Sequence, residues 1–218
     1  MTASADGART APDLTLMYAT HDAFRRDLEL LTAAARSADA AAPGSPFRTG
    51  WETFQRFLII HHTAEDNVLW PLLRAKLAGD ADQLRMLGEM DDEHAALDPL
   101  VEAVESALAE GRPQQLPGLM ATAAEKLVYH LDHEEKAALP VVRSVLSKQE
   151  YDTFGAEQRR LLGLKGGALY FPWVLDGASP DTQRTALGVL PPPVRFVYRA
   201  VWRPRYEKRK QILTRAAA

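Results

Sequence analysis

One eleven-residue pattern occurs twice in this chain, and it constrains the fold more than any other feature. His61-His62-Thr63-Ala64-Glu65-Asp66-Asn67-Val68-Leu69-Trp70-Pro71 is answered by His130-Leu131-Asp132-His133-Glu134-Glu135-Lys136-Ala137-Ala138-Leu139-Pro140. Both read His, three residues, Glu, an acid, four residues, Pro. A His and a Glu four apart lie one above the other on one face of a helix. Two helices that each turn such a face inward can hold a pair of metal ions in the core of a helical bundle.

The flanking sequence supplies the helices. A first helix is expected from about residue 13 to 37, with the stripe Leu14, Met17, His21, Phe24, Leu28 and Leu31 stepping by three and four. A second, about 47 to 78, carries Phe54, Leu58, His61, Glu65, Val68 and Leu72, with Pro71 predicting a kink or break. A third, about 82 to 110, carries Leu87, Met90, His94, Leu97, Val101, Val104 and Leu108. A fourth, about 116 to 147, carries Leu119, Ala123, Leu127, His130, Glu134, Ala137 and Val141, with Pro140 in the place of Pro71. Gly79-Asp80 and Gly111-Arg112-Pro113 are the turns between them.

Turn positions predict where the polar residues fall. His21 and the midpoint of His61 and Glu65 lie 21 residues either side of a turn centred on residue 42. That midpoint and His94 lie 16 and 15 residues from a turn at 79. His94 and the midpoint of His130 and Glu134 lie 18 and 20 residues from a turn at 112. The fold class expected is therefore all-α, an up-down-up-down four-helix bundle with its polar core residues near one level. His21 with the first motif and His94 with the second make two similar halves, one metal to each.

Composition narrows the chemistry. There is no cysteine, so disulfides, thiolate zinc sites, iron–sulfur clusters and cysteine nucleophiles are excluded. Residues 1–12 are small and polar, read as a disordered N-terminus without the apolar run of a signal peptide. No apolar segment approaches the ~20 residues that span a bilayer, so the expected location is the cytoplasm. The bundle is assigned to residues 13–147 and a helical extension with a basic tail to 148–218. Lys148 to Leu164 reads as a short helix, followed by a glycine turn at Gly166-Gly167 and the aromatic run Tyr170-Phe171-Pro172-Trp173. Asp181 to Leu190 reads as a helical turn or two, and Val194 to Leu213 as a helix interrupted at Pro204.

From Val194 onward eight basic residues face one acid, a charge of +7; the whole chain is −3, so the rest is −10. The tail is expected to pack on the acidic body or lie solvated beside it, with no specific nucleic acid as partner. Tyr170, Phe171, Trp173 and Trp202 are read as burying the extension rather than lining a substrate pocket. No phosphate-binding glycine loop, nucleotide fingerprint or serine-nucleophile motif is present.

The candidate metal ligands are His21, His61, Glu65, His94, His130 and Glu134. Imidazole with carboxylate suits iron, manganese or zinc rather than magnesium or calcium. Two His per ion, both Glu bridging, and an oxo or hydroxo between the ions leave at least one open position per ion. No Lys or Arg lies on the four stripes to neutralise the two Glu, and a buried carboxylate without a partner costs several kcal/mol. His62, about 100° around the helix from His61, is placed outside the ligand set, in the layer around it or at the surface. His133 is placed flanking the site. Asp66 and Glu135 are solvated or orient a histidine N–H. Pro71 and Pro140 shape helix ends, and Trp51 and Trp70 pack.

At these residues the chain resembles the hemerythrin family, specifically its HHE cation-binding branch, over about residues 13–146. The order His21, His61-x-x-x-Glu65, His94, His130-x-x-x-Glu134 carries the resemblance. It implies a four-helix bundle with two iron ions in a non-haem di-iron centre, manganese or zinc being the lesser choices, and O2, NO or peroxide as small ligand. The family's ligands carry over to the six residues above. The chain departs from oxygen carriers of the family at two points. Met90 and Asp98 stand where those have a further histidine one turn from the third-helix ligand, and Glu134, four after His130, stands where those have an Asp five after. These departures argue against simple O2 carriage and for redox reactivity, sensing or iron handling. A di-iron oxidase or peroxidase acting on peroxide or a small organic substrate is the alternative.

Overall fold

The computed structural model describes residues 10–217, with only the backbone described at Leu164. Residues 1–9, most of the segment expected to be disordered, lie outside it. The described residues are helical apart from the connections between helices, without strands.

Four helical arms surround the site. The first is α1 (Thr15–Ala34). The second joins α2 (Pro46–Ala64) to α3 (Trp70–Lys76). The third is α4 (Ala81–Ala109). The fourth joins α5 (Leu116–His133) to α6 (Leu139–Val145). Their starts follow local chemistry. Ser45 accepts from the Arg48 N–H with Pro46 in the first turn, and Asp80 accepts from the Gln83 N–H. α1 packs on α2 and α5, and α4 packs on α5 and more lightly on α2.

Of the kink or break expected at the prolines, the break does not occur. Pro71 does not break the second arm; the five residues before Trp70, Glu65–Leu69, form a π turn. Pro140 is preceded by the same device at Glu134–Ala138. The Trp70 N–H reaches back five residues to the Glu65 carbonyl, and the Leu139 N–H to that of Glu134. A wider turn accommodates the proline's missing N–H and its ring without ending the helix. Proline alone does not force this, since Pro99 and Pro172 sit inside helices with no π turn.

The extension is also more helical than its composition predicts. α7 (Lys148–Val174) starts at a capping box between Ser147 and Glu150 and runs through Gly166 and Gly167. The interruption falls at Gly163, whose φ of 67° and ψ of 175° suit glycine. The glycine pair expected to turn the chain is therefore helical, and so is the aromatic run after it. α8 (Pro180–Gly188) and α9 (Pro192–Val197) follow, then a third π turn, Tyr198–Trp202, ahead of Pro204, and α10 (Arg203–Ala217).

α7, α8 and α10 pack on α1, and α7 and α10 also on α2. Trp173 is fully buried against Phe24 and Phe57, its indole N–H donating to Asp27 Oδ2 at 2.7 Å. Tyr170 packs edge-on to Phe57 and is hydrogen-bonded to Thr20. α10 crosses so close to α2 that a Cβ at Gly50 would lie 2.8 Å from Leu213. Lys210 pairs with Asp176 at 2.7 Å, and Arg203 with Glu207 of its own helix. Part of the basic tail thus rests on the body, with Leu213 buried beneath it.

Two apolar cores result. One holds Phe24, Leu28, Leu31, Trp51, Phe54, Phe57 and Trp173. The other holds Met17, Leu69, Trp70, Leu73, Leu87, Met90, Leu139, Val142 and Phe154. Along α1, Met17 belongs to the second core, Phe24 to the first, and His21 lies between them.

Candidate metal centre

Between these cores lies a polar layer. His21, His61, Glu65, His94, His130 and Glu134 are all buried, none more than 6% exposed. α1 supplies His21, α2 His61, α4 His94 and α5 His130. Each Glu is the first residue of a π turn.

The structure brings the six predicted residues together. Nε2 of His21 and Nε2 of His61 are 3.1 Å apart, and those of His94 and His130 are 3.2 Å apart. Two nitrogens at about 2.1 Å from one ion and at right angles across it stand about 3.0 Å from each other. The carboxylates lie between the pairs. Glu65 reaches His61 Nε2 at 3.2 Å and His94 Nε2 at 3.6 Å. Glu134 reaches His21 Nε2 at 3.2 Å and His130 Nε2 at 4.0 Å. Each Glu therefore addresses both histidine pairs.

The opposite ring nitrogens are held from outside. His21 Nδ1 meets Glu135 Oε1 at 2.9 Å, and His94 Nδ1 meets Asp66 Oδ1 at 2.9 Å. His130 Nδ1 meets Glu93 Oε2 at 2.9 Å, and Glu93 also holds His133 Nδ1 at 2.7 Å. His61 Nδ1 meets the Gln158 side-chain amide at 3.3 Å. An imidazole that donates its Nδ1 proton outward keeps the Nε2 lone pair inward, the tautomer a metal requires. At His61 the Gln158 amide nitrogen faces Nδ1, and a half-turn of that amide would present its oxygen as an acceptor in the same way. Arg25 braces Glu135 at 2.7 Å and Asp132 at 2.9 Å.

Charge in this layer is unbalanced. Burial opposes a proton on His21, but Glu134 and Glu135 outweigh it and push the imidazole up to about 9. Burial would likewise raise Glu134, yet His21 and the other histidines pull it down to about 2. Glu65 has no such partner, and burial beside Glu134 and Asp66 drives it well above the carboxylate range. Burial, then the neighbouring His21, holds His61 well below its usual value. One protonated imidazole, His21, thus answers the Glu134 carboxylate, and no cation lies near enough to favour a charge on Glu65, with Asp66, Glu93 and Glu135 adding negative charge around them.

His62 lies in the layer around the six residues, and His133 lies at its edge. His62 is not at the surface: its Nε2 is shielded from solvent and has no hydrogen-bond partner. The reason is that α2 has two neighbours, with His61 on the flank facing α1 and His62 on the flank facing α4. His62 stacks on His94 with ring centres 3.9 Å apart and planes 12° from parallel. His133 points outward to Glu89 and Glu93. Periodicity in the sequence also leaves Glu93 and Gln158 unmarked. Glu93 adjoins His94 and so carried a weak signal. Gln158 lies 97 residues from His61, on the extension, and carried none.

A metal fits these residues. All four oxygens of Glu65 and Glu134 are closed to solvent and lack a well-formed hydrogen bond, the His21 ion pair at 3.2 Å being the one charge partner of Glu134. Buried polar atoms are satisfied in most proteins, and four orphaned carboxylate oxygens facing lone pairs of imidazole call for cations. Two groups have donor atoms within 4.8 Å of one another: His21, His61, Glu65 and Glu134, and His62, His94 and His130.

Comparison with known families agrees with the geometry. The family described as Hemerythrin HHE cation binding domain matches residues 13–142. The chain belongs to this family. Searches of curated proteins and of solved structures gave no match. No helix among the described residues is long and apolar enough to cross a membrane.

Proposed function

We propose that this protein is a non-haem di-iron protein of the hemerythrin HHE type, with a four-helix up-down-up-down body at residues 13–147, that binds or reacts with O2, NO or peroxide. The reading rests above all on the four orphaned oxygens of Glu65 and Glu134 set between two histidine pairs. His21 and His61 would hold one ion and His94 and His130 the other, with Glu65 and Glu134 each placed to reach both pairs. Iron is favoured over manganese or zinc by a mixed imidazole and carboxylate set meeting a redox-active small ligand. When bound, such a pair supplies two electrons to a small oxidant without an organic cofactor.

The chain's own residues set the conditions. Asp66, Glu93 and Glu135 fix imidazole orientation and raise ligand basicity. The apolar cores on either side limit water at the centre. Residues 148–218 form the extension, and its α7 closes one flank and places Gln158 on His61.

A second reading, a peroxide- or organic-substrate oxidase, draws on a cavity of about 380 Å³ between α1 and α7. Thr20, Tyr151, Phe154 and Gln158 line it, and Gln158 joins it to His61. Anaerobic purification, metal assay and visible spectroscopy during O2 admission test both. A spectrum reversed by removing O2 supports binding or sensing. Irreversible oxidation with peroxide turnover supports the enzyme. Absence of bound metal from a fully helical protein overturns both.

A further inference from the structure

We infer that the outward face of the last helical arm, α9 through α10, docks on the headgroup layer of an anionic lipid bilayer. The inference is independent of the metal reading, and either can fail alone.

Burial along the arm fixes which way it faces. Tyr198 and Leu213 are buried in the first apolar core, and Trp202 and Tyr206 pack half-buried against it. With Lys210 these residues recur every three or four positions, so one side of the arm is committed to the body. The exposed remainder carries a large apolar side chain near each end, Phe196 at 72% exposure and Ile212 at 58%. Between and beyond them Arg199, Arg205, Lys208 and Arg215 are exposed.

The charges of the arm are sorted by side. Those turned to the body are engaged there: Lys210 pairs with Asp176, and Arg209 donates to the Thr49 carbonyl at 3.3 Å. Glu207, the one acid of the arm, is taken by Arg203. Arg199, Arg205, Lys208 and Arg215 have no hydrogen-bond or ion-pair partner among the described residues. Four free cations interspersed with exposed Phe and Ile match a surface that is anionic outside and apolar just beneath. A nucleic-acid backbone would use the cations and leave Ile212 idle. With no helix among the described residues able to cross a membrane, the contact is peripheral.

The test is co-sedimentation of the full chain with vesicles of equal parts phosphatidylserine and phosphatidylcholine, and with vesicles of phosphatidylcholine alone. The wild-type chain is expected to bind the first, to be released by salt, and to leave the second unbound. Each cation near such a surface contributes about a fivefold gain, so Arg199→Gln, Lys208→Gln and Arg215→Gln together should weaken binding about 100-fold. Phe196→Ser with Ile212→Ser should weaken it about tenfold or more. Helicity and metal content should not change in either variant, because every substituted side chain is exposed. Failure to bind anionic vesicles, equal binding to the neutral ones, or binding untouched by both variants overturns the inference. So does binding of a duplex nucleic acid without binding of vesicles, which assigns the face to that partner. Self-association that both variants abolish, again without vesicle binding, assigns it to a second copy of the chain and overturns the inference as well.

Discussion

The two halves of the polar layer were built from one pattern and have become different. Their inner geometry is nearly equal, with paired Nε2 atoms at 3.1 and 3.2 Å, and an acid beside each Glu holds an Nδ1 at 2.9 Å in both. The surroundings diverge. Where the first half has His62 stacked on His94, the second has Leu131, buried in the first apolar core. Where His130 is backed by the Glu93 carboxylate, His61 is backed by the neutral Gln158 amide. The extension packs on α1 and α2, the helices of the first half. Duplication thus explains why a site exists, and departures from duplication explain how one ion would differ from the other.

The largest effect should come from what the halves share. Glu65 and Glu134 each face both histidine pairs, so Glu65→Ala or Glu134→Ala should abolish binding of the pair rather than of one ion. Metal content after gel filtration reads this directly, and retention of one full ion would show that the halves act separately.

Next comes the side that only the first half possesses. Trp173→Ala removes a fully buried indole from the seam between extension and body and should cost about 3–5 kcal/mol in chemical unfolding. Metal stoichiometry should survive this change, because Trp173 touches Phe24 and Phe57 rather than a ligand. A loss of metal without a loss of stability would mean that the seam belongs to the site.

The pH response of the metal-free protein is expected to be slightly smaller. His21 is raised to about 9 from its usual 6.5. Its contribution is fully present below 6.5 and is lost as pH rises through 9. Each tenfold gain in proton affinity is worth about 1.4 kcal/mol, so the loss is of the order of 3 kcal/mol. Glu65, raised by burial, acts in the same direction. Metal requires these groups without their protons, so affinity should rise over the same interval. Thermal melts with chelator should therefore fall between pH 6.5 and 9 while melts with metal hold or rise. Parallel curves would refute the linkage.

The smallest effect sharpens the contrast at the outer partners. Glu93→Gln should weaken the His94 and His130 ion by about 10–100-fold, and Gln158→Glu should strengthen the other by a comparable factor. Equal responses to the two changes in both ions would erase the distinction between halves.

Much of this arrangement is legible in sequence, for physical reasons. A His or Glu in an otherwise apolar helical stripe stands out, because burial excludes such residues unless something pairs with them. Turn positions then place His21, His61, His94 and His130 near one level, as the structure has them. Other features depend on information that periodicity lacks. His62 is left between the layer around the ligands and the surface, because one stripe per helix ignores a second buried flank. Gln158 escapes because its partner is remote in the chain. The π turns before Pro71 and Pro140 look like breaks to any rule that reads proline alone. The interruption in α7 falls at Gly163, while Gly166 and Gly167, which look stronger as a turn, lie within the helix. Gly166 would place a Cβ 3.0 Å from Leu162.

A paired and unequal metal centre is tested most directly by iron-57 Mössbauer spectroscopy of anaerobically loaded protein. The expected result is about two iron ions per chain, seen as two quadrupole doublets of equal area, because His130 is backed by a carboxylate and His61 by a neutral amide. A single iron per chain, or none in a protein of full helicity, would contradict the pairing. Two irons giving one indistinguishable doublet would contradict the inequality.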